Sequence, residues 1–209
     1  MGHVVLLGDS IFDNASYVPG EPPVIQQVRE RLPAGWKATL LAVDGSITQN
    51  VSSQLAKLPA DASLLFVSAG GNNALGEANV LGQSVTSVGA ALQHLRAMQN
   101  SFAQDYHAMM QALLATDKPV TVCTIYDAIP ELPDPEKAAL SLFNDAILLE
   151  AFRAGAAVID LRLVCDRADD YSSLSPIEPS ARGGAKIASM IAAVATRHNF
   201  TAKQTRVYY

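Results

Sequence analysis

The sequence alternates short apolar segments with longer segments whose apolar residues recur at helical spacing. This alternation constrains the fold more than any other feature, because strand–helix–strand crossovers are right-handed and bring successive strands together in parallel. It predicts five strands, at 4–7, 37–43, 63–68, 120–126 and 158–161. The predicted helices cover 24–32, 51–58, 84–116 (one long helix or a broken pair), 136–154 and 180–198. The expected fold class is therefore α/β, a three-layer α/β/α sandwich with a mainly parallel five-stranded sheet.

Length and charge indicate how many domains to expect and which partner to exclude. The chain has 209 residues, enough for one substantial core, and neither a linker nor an internal repeat interrupts it, so one domain over 1–209 is expected. Its net charge is −5 and its basic residues are scattered rather than clustered. Because binding to phosphates needs a clustered Lys/Arg surface, nucleic acid is not an expected partner.

The distribution of apolar residues indicates where in the cell the protein is expected to be. No stretch approaches the roughly 20 apolar residues that a membrane helix needs, so no membrane span is expected. The first ten residues lack the basic leader and long apolar run of a secretory signal, so the expected location is the cytoplasm. Cys123 and Cys165 both lie in or beside apolar runs and form no CxxC pair, which favours small buried thiols.

Three polar, glycine-containing segments follow three of the predicted strands: Gly8-Asp9-Ser10, 44–46 and 70–73. Parallel strands end at the same edge of a sheet, and ligands bind outside that edge, so the three segments are expected to converge. The first places the Ser10 hydroxyl at a strand tip. Taken alone, that segment is better explained as a simple cap of a turn or helix.

The other two segments add hydrogen-bond donors. Acyl transfer needs donors aimed at the oxyanion that develops on the carbonyl oxygen. The backbone N–H of Gly45 and the side-chain amide of Asn72 are suitable donors at neighbouring strand ends. The three segments together favour an acyl-transfer site more strongly than any one of them does.

Four segments also resemble the sequence blocks of the SGNH, or GDSL, hydrolases: VVLLGDSIFDN, AVDGS, SAGGNNAL and SPIEPSARGGAKIA. The resemblance implies a flavodoxin-like SGNH hydrolase fold and an esterase or lipase activity on carboxylic esters or thioesters. It implies that Ser10 is the nucleophile and that the oxyanion hole is formed by Ser10, Gly45 and Asn72. It implies a small-molecule ester or acyl substrate. No metal-ligand spacing or dinucleotide fingerprint accompanies it, so neither a metal nor a cofactor is expected.

The last block departs from the family pattern. Aligned on Pro179, Glu178 stands where the family has its catalytic His and Ser175 where it has Asp. Glu178 is either the general base, with a pKa raised by burial, or an acid at the start of the last helix. As a base it should give an activity that rises with pH below the imidazole range.

The missing His and Asp leave an alternative open, a catalytically impaired binding or regulatory protein on the same fold. His94 and His107 are the histidines that a loop or helix break would have to bring to the site. The proposed substrate-binding residues are Asp13, Asn14 and Asn73, the last of which replaces the Asp of the third block. A turn or surface role suits Asp13 and Asn14 equally.

Overall fold

The computed structural model describes residues 2–209, which form one six-stranded sheet whose neighbouring strands are all parallel. The strand order is β2-β1-β3-β4-β5-β6. The strands are β1 (His3–Gly8), β2 (Lys37–Leu40), β3 (Leu64–Ser68), β4 (Val120–Cys123), β5 (Ala157–Ile159) and β6 (Val207–Tyr208). The parallel α/β class is confirmed.

The predicted number of strands was wrong by one. Strand β6 has two residues and pairs with β5 through Val158↔Val207 and Ile159↔Tyr208. So short a strand carries no periodicity, and its pairing is created only when the chain after the last helix returns to the edge of the sheet. The prediction also placed the ends of β2 and β4 too late, because the residues that follow these strands are apolar but continue as loops.

Helices cover both faces of the sheet. Within residues 2–209 the α-helices are α1 (Val24–Arg31), α2 (Val51–Leu55), α3 (Gly71–Gly76), α4 (Val88–Leu114), α5 (Asp134–Ala154), α6 (Leu161–Val164) and α7 (Ala181–Arg197). The 84–116 segment thus forms a single long helix, capped by the Ser87 hydroxyl, which accepts a hydrogen bond from the N–H of Ala90. In the part of the chain that the structure describes, no helix is long and apolar enough to cross a membrane.

Alternating side chains of β1 divide the core into two layers. Val4 and Leu6 pack with α1 and α7, whereas Val5 and Leu7 pack with α2, α4 and α5, and all four are fully buried. Successive residues of a strand point to opposite faces, so a continuous apolar run is what a sheet covered on both sides requires.

The connections change face beside β1. Strand β1 lies between β2 and β3; α1 connects β1 to β2 on one face and α2 connects β2 to β3 on the other. A crevice therefore opens at the carboxyl ends of β1 and β3, where open α/β sheets bind their ligands.

Candidate active site

An apolar cavity of about 130 Å³ lies at this edge of the sheet. Its polar end is formed by Asp9, Ser10, Asn72 and Glu178. Much of the remaining wall is made of aliphatic and aromatic side chains from α3, α5 and the neighbouring loops, including Leu75, Val80, Leu81, Ile129, Leu132, Leu140 and Phe143. A hydroxyl, two carboxyls and an amide thus face one apolar space.

The turn that carries Ser10 begins where β1 meets β3. Gly8 has φ +115°, and a Cβ at this position would lie 1.7 Å from the carbonyl oxygen of Ser68, so only glycine fits. The N–H of Asp9 donates to that same carbonyl at 3.0 Å. Ser10 follows, 5% exposed, and its own N–H has no hydrogen-bond partner among residues 2–209. This N–H is therefore available to a bound oxyanion.

A side chain that the sequence patterns did not single out fixes this turn. Gln54 of α2 is 4% exposed; its Oε1 accepts from the N–H of Gly8 at 2.8 Å, and its Nε2 donates to the carbonyl of Gly8, also at 2.8 Å. The same Nε2 lies 3.3 Å from the Ser46 hydroxyl. The only signal in the sequence is a glutamine on the inward side of a short helix, which is too common to be diagnostic.

Glu178 reaches the cavity from the loop 171–180. Its N–H donates to the carbonyl of Ser175 at 3.0 Å, and its carbonyl accepts from the N–H of Ser172 at 2.8 Å. The phenol of Tyr126 donates to the carbonyl of Ile177 at 2.8 Å. These bonds hold a tight turn and leave the Glu178 side chain 5% exposed, so its carboxyl is directed by the loop backbone.

Burial governs the titration of this carboxyl. Burial and, to a lesser degree, the charge of Asp44 raise the pKa of Glu178 to about 7, and the neighbouring Ser10 side chain acts in the opposite direction. Its Oε2 is buried without a hydrogen-bond partner in the described chain. The carboxyl therefore changes charge near neutral pH while it lies beside a serine hydroxyl.

Asp9 is a second buried carboxyl at the same end of the cavity. It is 3% exposed, and its Oδ1 accepts from the N–H of Ile11 at 3.2 Å. Desolvation is the main cause that raises the pKa of Asp9 to about 7; this backbone hydrogen bond acts in the opposite direction, and the negative charge of Glu178 contributes to the increase. The negative charge of ionised Glu178 therefore makes Asp9 hold its proton to higher pH.

The two proposed oxyanion donors from other loops lie in different places. Asn72 lines the cavity, and its Nδ2 donates one hydrogen to the carbonyl of Ser46 at 2.9 Å, which leaves the second amide hydrogen for a ligand. Gly45 is exposed, has φ +74°, and lines a separate hollow with Asn50 and Lys57. The structure brings Asn72 to Ser10 and leaves Gly45 outside the cavity.

The residues proposed for substrate binding connect loops to one another and do not line the cavity. Asp13 accepts from the N–H of Asp44 at 3.0 Å. Asn73 binds Thr48 twice, accepting from its N–H at 3.1 Å and donating to its hydroxyl at 3.2 Å. Asn14 is fully buried. The structure therefore gives all three side chains partners inside the protein.

Asn14 joins the start of α1 to the Glu178 loop. Its Oδ1 accepts from the N–H of Val24 at 2.9 Å, and its Nδ2 donates to the carbonyl of Pro179 at 3.1 Å. We expect Asn14→Ala to lower the free energy of unfolding by about 2–4 kcal/mol, because two buried backbone groups lose their partners. Urea unfolding would measure the loss, with Asp13→Ala, at a half-buried position, as a control costing under about 1 kcal/mol. Equal losses in the two variants would contradict this role of Asn14.

Among residues 2–209, no histidine lines the cavity. His94 is exposed, and Nδ1 of His107 in α4 is bound to Glu150 of α5 at 2.7 Å. His3 contacts Asp61 and Thr39 at the opposite end of β1, and His198 contacts Tyr208. The hypothesis that His94 or His107 reaches the site therefore finds no support in the geometry.

Solved structures of lipases and esterases share this fold. A lipase from a goat rumen metagenome is similar with a TM-score of 0.74 and 18% identity, covering 96% of this chain and 100% of that one. An extracellular lipase from Streptomyces rimosus has a TM-score of 0.66 and 19% identity, covering 94% and 100%. An acetyl xylan esterase variant from Geobacillus stearothermophilus has a TM-score of 0.64 and 12% identity, covering 93% of both. At these identities the likeness shows the fold.

The sequence comparisons define the family. No curated protein matches the sequence significantly. The model of the GDSL-like lipase/acylhydrolase family, in contrast, matches residues 6–201, nearly the whole chain, which confirms the resemblance read from the four sequence blocks. The chain belongs to the GDSL-like lipase/acylhydrolase family.

Proposed function

We propose that this protein is a serine-dependent hydrolase of carboxylic esters or thioesters in which Ser10 is the nucleophile and Glu178 the general base. Family membership supports ester hydrolysis as the class of reaction. One observation carries the assignment of residues: Ser10 and Glu178 are both nearly buried on the wall of one cavity, and the serine side chain lies close enough to the carboxyl to lower its pKa.

The first half of the reaction acylates Ser10. Ionised Glu178 accepts the hydroxyl proton as Oγ bonds to the acyl carbon, and the carbonyl electron pair moves onto the oxygen. When the carbonyl re-forms, the bond to the alcohol or thiol breaks, and protonated Glu178 returns the proton to the leaving group. The carboxyl thus acts as base and then as acid, the part that imidazole has in a Ser-His-Asp triad.

The second half hydrolyses the acyl-enzyme. Glu178 accepts a proton from water as the water oxygen bonds to the acyl carbon, and the proton returns to Ser10 as the carboxylic acid is released. In both halves the N–H of Ser10 and the free amide hydrogen of Asn72 are the proposed donors to the oxyanion. Gly45 becomes a third donor only if its loop moves toward the cavity on substrate binding.

Asn72→Ala is expected to lower kcat by about 10²–10³-fold, the usual effect of removing one oxyanion donor. The melting temperature should change little, because the residue is half-buried and its side chain gives up one hydrogen bond, to the carbonyl of Ser46. Steady-state hydrolysis of p-nitrophenyl butyrate gives the rate and calorimetry the melting temperature. A kcat within twofold of the wild type would remove Asn72 from the oxyanion hole.

A fluorophosphonate probe tests the proposed function directly. An activated serine should take up the probe with a defined increase in mass on the peptide that contains Ser10, and the protein should turn over p-nitrophenyl acetate and butyrate. The alternative function, a binding or regulatory protein, is favoured by the lack of a histidine in the described cavity wall. Absence of both labelling and turnover in the folded protein would support that alternative. The cytoplasmic location stays a prediction from the sequence.

A further inference from the structure

Gly8, the last residue of β1, is held from two sides, although the regular pairing of β1 with β2 ends two residues earlier, at Leu6. On one side β3 holds the turn, since the N–H of Asp9 donates to the carbonyl of Ser68. On the other side the side-chain amide of Gln54 bonds to both the N–H and the carbonyl of Gly8. A side-chain amide offers the same acceptor and donor as a peptide group. Gln54 therefore continues the pairing of β1 beyond the end of β2.

The same amide also reaches the loop that supports the second proposed oxyanion donor. Nε2 of Gln54 lies 3.3 Å from the hydroxyl of Ser46, which is 7% exposed. The carbonyl of Ser46 in turn accepts from Nδ2 of Asn72 at 2.9 Å. Satisfying the backbone of Gly8 does not require this third contact. One buried side chain is therefore connected both to the turn that carries Ser10 and to the residue that holds the amide of Asn72.

We infer that Gln54 is a positioning residue, which fixes the N–H of Ser10 and the amide of Asn72 relative to each other so that both donate to one oxyanion. The inference rests on the proposed function, because that reaction is what forms the oxyanion. Such donors are effective when they are fixed before the charge develops, and a displacement of about 1 Å can cost about 10²-fold in rate. Gln54 does not line the cavity, so it acts through the two donors.

Gln54→Met tests this role, because methionine has a similar length and no amide. Measured below the melting temperature of the variant, kcat for p-nitrophenyl butyrate should fall by about 10–100-fold. KM and the pH at which the rate rises should stay as in the wild type, since the donors act in the transition state and the change does not touch Glu178. A glutamine with a merely structural role would lower the melting temperature and leave kcat unchanged. A kcat within about threefold of the wild type would overturn the inference.

Gln27→Met is the matched control. Gln27 is 3% exposed, and its Nε2 donates to the carbonyls of Pro22 and Ala181, both at 2.9 Å. Both variants lose buried hydrogen bonds from a glutamine amide to the backbone, so both should melt at a lower temperature. Only Gln54→Met should lose kcat. An equal loss in Gln27→Met would show that general loosening of the fold lowers the rate, and would overturn the assignment of Gln54.

Ser46→Ala is a milder variant that keeps the test open if Gln54→Met fails to fold. It removes the contact between Gln54 and the Ser46 hydroxyl but keeps both bonds to Gly8 and the carbonyl that binds Asn72. Alone it should lower kcat by about 3–10-fold. In an Asn72→Ala background it should have no further effect, because its influence passes through Asn72. An unchanged kcat, or equal fold-losses in the two backgrounds, would contradict the connection.

A spectroscopic measurement separates this inference from the proposed function, because amide ¹H–¹⁵N spectra need no turnover. Gln54→Met should shift or broaden the signals of the Ser10 N–H and the Asn72 side chain, whereas Gln27→Met should change neither. Changed signals together with an inactive wild type would refute the esterase and leave Gln54 as the residue that holds both groups in place. Unchanged signals in an active enzyme would refute the inference and leave the esterase standing. Unchanged signals in an inactive protein would refute both.

Discussion

Replacing Ser10 with alanine is expected to abolish ester hydrolysis, with kcat lowered by at least about 10⁴-fold. Loss of a serine nucleophile removes the covalent route altogether, and the activity that remains comes from binding and from the oxyanion donors alone. The change deletes one oxygen at a position that is 5% exposed, so the fold should be retained. The measurement is the hydrolysis of p-nitrophenyl acetate and butyrate, together with fluorophosphonate labelling.

Ser16→Ala is the control for this experiment, since Ser16 follows in the next segment of the chain and is exposed. It should retain full activity and be labelled like the wild type. If Ser10→Ala hydrolysed the esters at a rate comparable to the wild type, another residue would be the nucleophile, and the mechanism proposed above would be wrong.

Glu178→Gln is the second large effect that we expect, with kcat lowered by about 10³-fold or more, because the variant keeps the shape of the side chain but accepts no proton. The wild-type rate should rise with pH through about 7, since Glu178 acts as a base only when ionised and burial has raised its pKa to that value. In the variant this limb of the profile should disappear. Rates measured from pH 5 to 9 would test both points.

The structure changes how that profile is interpreted. A carboxylate base was expected to titrate below the imidazole range, but the buried Glu178 titrates close to the imidazole reference value of about 6.5. The pH at which the rate rises therefore does not distinguish a carboxylate base from an imidazole base. Loss of this rise in Glu178→Gln does distinguish them. His107→Gln is the control and should keep the limb. Full activity in Glu178→Gln would show that the carboxyl is structural.

An inactive wild type would call for the reverse experiment. Ser175→Asp combined with Glu178→His restores the Asp and His of the family pattern with which the last sequence block was aligned. Because the carbonyl of Ser175 already accepts from the N–H of Glu178, the two side chains start from one tight turn. A gain of esterase activity would show that Ser10 and Asn72 are already arranged for catalysis. Continued inactivity in a folded double variant would contradict the proposed site.

The fold was predictable from the sequence, whereas the assignment of side chains around the site was only partly so. Apolar runs and helical periods set the order of strands and helices, and Gly8-Asp9-Ser10 falls at the end of β1 as expected. The roles of Asn14 and Asn73 depend on which loop lies opposite, and a pattern along the chain carries no such information. Gln54 was missed for the same reason, because its partner Gly8 lies 46 residues away.

The two buried carboxyls beside Ser10 also affect how the stability of the folded protein depends on pH. Asp9 and Glu178 keep their protons up to about pH 7 in the folded protein, against ordinary values of 3.8 and 4.5. Between these values the native chain binds more protons than the unfolded chain, so the free energy of unfolding falls as the pH rises. Each pKa unit is worth about 1.4 kcal/mol, so the loss amounts to several kcal/mol. These two carboxyls should therefore make the protein easier to denature at pH 8 than at pH 5, so the ionised Glu178 that accepts a proton is obtained at a cost in stability.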